Sequence, residues 1–363
     1  METKDNLISK TRLISQKLAS PEFNSPLDIV KYMGAMQAQD YLMAKWAIGV
    51  RLKEPTDKKV VSAFNKGEIL RIHVLRPTWH FVAADDIYWM LQLSAPKIKS
   101  SLKSRHNQLE LTESVMSKTR AIIKKSLLNG SSLTRDELAH EFHKAGIRTD
   151  ENRLSHILFR SEMDGIICSG PIKGNKLTYA LLKERVPHKK ELSMDESLAE
   201  LAKRYFNSRC PATLEDFIWW SNLTIKEARK AIDLNGSDLL QETIGSKKFL
   251  IPNSFSKPTL EKASVNLLPA YDEFLISYRD RSSSLSEVNN KRTVSDNGIF
   301  YPTIVVNGQV AGLWKRTFQK NKVIISVGFF KPPDNSTIRK IAIKVRDFGR
   351  FLEKEAELFQ KTE

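Results

Sequence analysis

Apolar positions early in the chain fall at helical spacing. Ile29, Met33 and Met36 sit at i, i+4 and i+7, with Val30 and Tyr32 at the edges of the same face, behind a helix start at Ser25-Pro26. After Asp40, a residue suited to capping, Leu42, Met43, Trp46, Ala47 and Val50 repeat the period. Between the two helices stands the polar segment Gln37-Ala38-Gln39. On a helix its two carboxamides would point roughly 200° apart, whereas on an extended or turn backbone both face one side and a small Ala38 turns inward. Two uses are open: the pair solvates a helix junction, or it presents two amide groups to a ligand.

The same patterning divides the rest of the chain. A helix through Val115, Ile122, Ile123 and Leu127 ends at Asn129-Gly130, and Thr134 caps a second containing Leu138, Ala139 and Phe142 that stops at Gly146. A third helix over 152–163 turns Leu154, Ile157, Leu158 and Met163 inward and Arg153, His156 and Arg160 outward. Strand-like runs at 166–169 and 177–182 follow, joined by a basic turn carrying Lys173 and Lys176. Three helices and a hairpin make a winged helix, whose third helix can enter a major groove while its wing touches phosphate.

The order recurs. A helix over 195–208, helices opened by Thr213 and Thr224, and a hairpin tipped by Lys247 and Lys248 form another such unit. Residues 6–100 give a first one, with strands at 69–75 and 78–82. From about 259 strands centre on Leu267, Ile304 and Val323, Asn307-Gly308 signals a tight hairpin, and a closing helix begins near Ser336. The polar run 282–298 is expected to be mobile. The predicted fold is mainly helical α+β: winged helix one at 1–110 with the glutamine segment, winged helix two at 111–187, winged helix three at 188–258, and a β-rich domain with its closing helix at 259–363.

Charge narrows the partner. The chain has 363 residues, and Lys+Arg 58 against Asp+Glu 42 leaves +16, a surplus that favours a polyanion, above all double-stranded DNA. No apolar run reaches the roughly 18 residues of a membrane span, and the N-terminus lacks a signal-peptide core, so a cytoplasmic, nucleoid-associated protein is expected. Cys168 and Cys210 lack disulfide or metal spacing and read as buried thiols. His140 and His143 share a helix face but no third ligand follows, so no metal is expected.

Four segments carry a resemblance: Gln37-Ala38-Gln39, 76–82 (Arg76-Pro77-Thr78-Trp79-His80-Phe81-Val82), 267–274 (Leu267-Leu268-Pro269-Ala270-Tyr271-Asp272-Glu273-Phe274), and Tyr301-Pro302-Thr303 running on to Asn307-Gly308. Together they resemble the winged-helix DNA glycosylases of the AlkZ/YcaQ type, a family associated with alkylated purines and interstrand crosslinks. The resemblance implies tandem winged helices, a barrel-like C-terminal domain and a glutamine-x-glutamine or glutamine-x-aspartate active-site motif, of which this chain carries the glutamine form at Gln37 and Gln39. It also implies hydrolysis of the N-glycosidic bond of N7-alkylated purines, including crosslinks; a monofunctional, monomeric enzyme without cofactor or obligate protein partner is expected.

Around that motif the remaining candidates have two readings each. Asp40 caps its helix or acts electrostatically on the substrate; His80 contacts phosphate or sits buried and hydrogen-bonded; Arg76 binds DNA or forms a structural ion pair. Lys173, Lys176, Lys247, Lys248, Lys315 and Arg316, with Lys320 and Lys322, fall at predicted turns or hairpins and are the DNA-contact candidates as a group. Trp219-Trp220 reads as core plus one boundary residue. Tyr271-Asp272 and the Arg279-Asp280-Arg281 segment are not placed by sequence. Two rival functions fit the same architecture: a non-catalytic DNA-binding protein such as a transcriptional regulator, and a glycosylase-derived sensor that recognises damage without cutting.

Overall fold

In the computed structural model, residues 4–256 and 264–360 are described; the boundary expected between residues 258 and 259 lies outside them. The fold is α+β with helices predominating. Two compact units are formed, one by Met1–Val61 with Leu198–Glu363 and the other by Ser62–Ser197. No helix among the described residues is long and apolar enough to cross a membrane.

Along the chain, three helices followed by an antiparallel hairpin occur three times. First come Pro26–Met33, Tyr41–Gly49 and Asp57–Lys66, then strands Ile69–Val74 and Arg76–Ala83. The second set is Glu113–Ser126, Arg135–Lys144 and Arg153–Met163 with strands Ile167–Ser169 and Thr178–Leu181, and the third is Met194–Arg209, Leu214–Ser221 and Ile225–Asp233 with Leu239–Ile244 and Lys247–Pro252. Local chemistry sets these starts. Thr134, Thr213 and Thr224 each build a capping box with the acidic residue three positions on, Glu137, Asp216 and Glu227.

The Ser62–Ser197 unit is centred on Met116, Ile123, Leu138, Phe142, Ile157, Leu158 and Ile167, all buried. Its third helix departs from expectation. No residue of Arg153–Met163 is exposed, and Arg153 is buried, donating to the carbonyls of Leu109 and Arg148 rather than facing solvent. Arg160 is taken up by Asp164 at 3.0 Å, and the half-buried His156 ring lies edge-on to His106.

The C-terminal part of the other unit is a five-stranded sheet in the order Glu355–Gln360, Lys322–Phe329, Gln309–Phe318, Thr303–Val306, Val265–Leu268. Asn307 and Gly308 both have positive φ, 50° and 84°, as a two-residue type I′ turn demands. A Cβ at Gly308 would also meet the Ser9 backbone at 2.9 Å, so glycine is required twice over. The helix Asn335–Leu352 is followed by the edge strand Glu355–Gln360, paired parallel to Lys322–Phe329, which the sequence pattern did not reveal. Residues 282–298 are more structured than expected, because Ser283, Ser284 and Leu285 are buried and Glu287–Thr293 is helical. Cys168 and Cys210 are buried free thiols, each pushed up to about 12 by burial.

Candidate active site

Helix Pro26–Met33 ends at Gly34, whose φ of 74° turns the chain out of the helix and into the short strand Ala35–Gln37. Met36 and Ala38 are buried completely and Gln37 nearly so, while Gln39 is exposed. The small residue therefore does point inward, but the two glutamines differ in burial. Asp40 follows with extended backbone and accepts the Met43 N–H at 3.1 Å, capping the helix Tyr41–Gly49.

Below the strand lies a buried electrostatic clamp. The backbone N–H of Gln37 donates to Oε1 of Glu273 at 2.7 Å. The other oxygen, Oε2, receives Arg209 Nη2 at 2.6 Å, Ser277 Oγ at 2.5 Å and Trp220 Nε1 at 3.2 Å. Arg209 in turn donates to the carbonyls of Met33 and Ala35, at 2.7 and 2.8 Å. Burial alone would raise the Glu273 pKa. The Arg209 charge and the hydrogen bonds from Ser277, Arg209 and the Gln37 N–H outweigh it, leaving Glu273 at about 2 and ionised.

The preceding residue makes a second grip. Asp272 takes Arg51 in a bidentate pair at 2.8 and 2.9 Å, and its Oδ1 also caps the helix Glu273–Ile276 through the Phe274 N–H. Arg51 lies just past the helix that Asp40 opens. Asp272 and Glu273 thus fix the backbone on both sides of the exposed Gln39, one through Arg51 and the other through Gln37 and Arg209. Buried pairs of this kind specify geometry more than they add net stability, but removing one partner costs about 3–5 kcal/mol. Arg12 makes a third buried pair, with Asp216 at 3.5 Å.

Beside the clamp, Tyr271 holds a left-handed backbone at φ 58°, a conformation costing a non-glycine residue roughly 1–2 kcal/mol. Its phenol is raised above the usual range by burial first, then by the Asp40 carboxylate and Tyr301. Tyr301 is 41% exposed. Arg316 Nη2 lies 3.6 Å from Asp40 Oδ2, so this basic candidate faces the glutamine segment and is ion-paired there.

The other candidates are distributed. Lys247 and Lys248 are exposed at the tip of the third hairpin, Lys247 paired with Asp280, and Lys315 is exposed on strand Gln309–Phe318. Lys320 is exposed in the turn beyond that strand, while Lys322 pairs with Glu357. In the Ser62–Ser197 unit, Lys173 and Lys176 are exposed but sit against Glu137 and Asp136 at 2.6 and 3.2 Å. Arg76 opens strand Arg76–Ala83 half-buried; His80 is fully buried in the same strand, its Nδ1 2.9 Å from the Thr78 carbonyl. Trp220 is core and Trp219 is 42% exposed.

Comparison with known proteins identifies the family and the fold. A family model described as DNA glycosylase AlkZ-like matches residues 30–351. The chain is 25% identical, over 314 residues, to the interstrand DNA cross-link repair glycosylase of Streptomyces sahachiroi, spanning 80% of this chain and 82% of that one. The solved Streptomyces sahachiroi DNA glycosylase AlkZ superposes with a TM-score of 0.79 at 19% identity over 99% of this chain and all of the other, a likeness of fold. Because the family pattern runs from the first winged helix to the closing helix, the chain belongs to the AlkZ-like DNA glycosylases and is an enzyme of that class.

Proposed function

We propose that the enzyme hydrolyses the N-glycosidic bond of N7-alkylated purines in double-stranded DNA and unhooks interstrand crosslinks made through such bases. We propose further that it acts as a monomer in the nucleoid, without a cofactor. The observation that carries this reading is the clamp on the glutamine strand: a buried, ionised carboxylate holds the Gln37 N–H at 2.7 Å and leaves Gln39 exposed beside the Asp40 cap. Such a frame suits a motif that must be held still while touching substrate.

The chemistry needs little more than positioning. Alkylation at N7 gives the purine a positive charge, so when the C1′–N9 bond breaks its electron pair neutralises the departing base and no acid is required. Water then forms the new C1′–O bond and loses its proton to solvent. A carboxamide is no general base, but its oxygen can accept a hydrogen bond from that water while its amide donates to sugar or phosphate. The exposed Gln39 takes the contact with sugar or phosphate and the nearly buried Gln37 the water behind it, their oxygen dipoles turned toward the oxocarbenium-like sugar. Asp40 adds a carboxylate beside Gln39, paired with Arg316.

Single-turnover excision from duplexes bearing N7-methylguanine, or an N7-linked crosslink, tests the assignment. Gln37→Ala and Gln39→Ala should each slow release by roughly 10²-fold, leave affinity for undamaged duplex near wild type because phosphate contacts dominate it, and combine less than multiplicatively. Wild-type rates in both folded variants would remove the motif from the mechanism. Efficient release of neutral uracil would instead require a proton donor and shift attention to Asp40.

A further inference from the structure

Strand pairing brings two tyrosines to the glutamine segment. Val265–Leu268 and Thr303–Val306 are antiparallel, with Leu268 opposite Thr303. Tyr271, three residues past Leu268, and Tyr301, two before Thr303, therefore leave the sheet at the same end. Gln309–Phe318 continues past that end, since Trp314 N donates to the Pro302 carbonyl at 3.1 Å and Arg316 lies two residues further on. Arg316 reaches Asp40 at 3.6 Å, which sets this end of the sheet against the residue following Gln39. From the other side, Glu273, two residues after Tyr271, holds the Gln37 N–H.

We propose that Tyr271 and Tyr301 form an aromatic subsite beside Gln39 and Asp40 that stacks a purine displaced from the duplex and favours its cationic, N7-alkylated form. Tyr271 is anchored for this part: its backbone stands at φ 58° in the turn before the Asp272 cap, and its ring packs against the buried cluster beside Phe300, 6.3 Å between ring centroids. Ring faces carry negative potential and attract a cationic heterocycle more than its neutral counterpart. Asp40 and Arg316 together add no net charge, so the preference comes from the rings. The subsite deepens the N7-alkylpurine reading and rests on it.

The test is equilibrium binding to three duplexes identical but for one base. One carries N7-methylguanine on a 2′-fluorinated sugar that resists cleavage, one its neutral carbon isostere 7-methyl-7-deazaguanine on the same sugar, and one guanine. Wild type should prefer the cationic duplex. Tyr301→Ala and Tyr271→Gly, the latter suited to the turn, should each lose about tenfold of that preference, read as the ratio of affinities for the cationic and neutral duplexes. Tyr301→Phe, which keeps the ring, should retain it. Ring-deletion variants that keep the preference overturn the subsite, as does a wild type that binds cationic and neutral duplexes equally. Failure of the wider reading looks different, with wild-type enzyme releasing no N7-methylguanine from an unfluorinated duplex.

Discussion

Two helices occupy the same place in successive winged units and have opposite fates. Arg153–Met163 buries eight of its eleven residues; Ile225–Asp233 buries two of nine, Ala228 and Ala231. The first has apolar side chains around most of its circumference. Its Glu162 accepts the His73 N–H at 3.0 Å and the His73 ring at 2.5 Å, and Phe159 packs tilted against the same ring at 4.1 Å, so a hairpin of the same compact unit, Ser62–Ser197, covers it. The second packs only a narrow alanine stripe and leaves Lys226, Arg229 and Lys230 exposed. Element order therefore does not decide which third helix can meet DNA. The width of the apolar face does.

The largest expected effect breaks the buried helix. Ile157→Ala should cost about 2–5 kcal/mol and lower the denaturant midpoint, whereas Lys226→Ala should stay within about 0.5 kcal/mol. An unchanged midpoint for Ile157→Ala would end the contrast. Next in size is charge reversal on the open helix. Lys226→Glu with Arg229→Glu should weaken duplex binding at least about tenfold and lower the logarithmic salt slope by about 2, with no loss of stability. Anisotropy titrations at several salt concentrations read both quantities, and an unaltered slope would show that this helix does not face phosphate.

What was legible in the sequence was what short stretches of chain decide. Asp40, Thr134, Thr213 and Thr224 cap helices because the bonds they make reach only two or three residues, and Asn307-Gly308 makes its turn for the same reason. Four motif segments were enough to indicate the family. The buried pairs were not legible, since Arg51 and Asp272 lie 221 positions apart and Arg209 and Glu273 lie 64 apart. The adjacent carboxylates Asp272-Glu273 inside the family segment were the available signal, but nothing near them names their arginines. The outward placement of Arg153 failed because helical spacing assigns faces only while one side of the helix is covered. Glu355–Gln360 was missed because it is a short, charged strand whose parallel partner lies across a helix.

The smallest effect separates the wings that accompany these helices. Lys173, at the tip of the middle wing, pairs with Glu137 at 2.6 Å, whereas Lys248 on the last wing is exposed. The Lys173 hydrogen bond first, then the Thr134 backbone and hydroxyl, hold Glu137 at about 2 against its ordinary value of 4.5. A depressed carboxylate contributes its pairing fully above the ordinary value and loses it as pH falls through the folded one. Between pH 5 and 8, then, Glu137 stays ionised and cancels Lys173. Lys248→Ala should lower the salt slope by about 1, Lys173→Ala by clearly less, and neither difference should change between pH 5 and 8. Glu137→Gln keeps a side chain able to complete the capping box and frees Lys173, so it should tighten duplex binding a few-fold and bring the Lys173→Ala penalty, measured in that background, up to that of Lys248→Ala. If Lys173→Ala already costs as much as Lys248→Ala with Glu137 intact, the ion pair yields to phosphate, and the two wings contact DNA alike although the helices behind them do not.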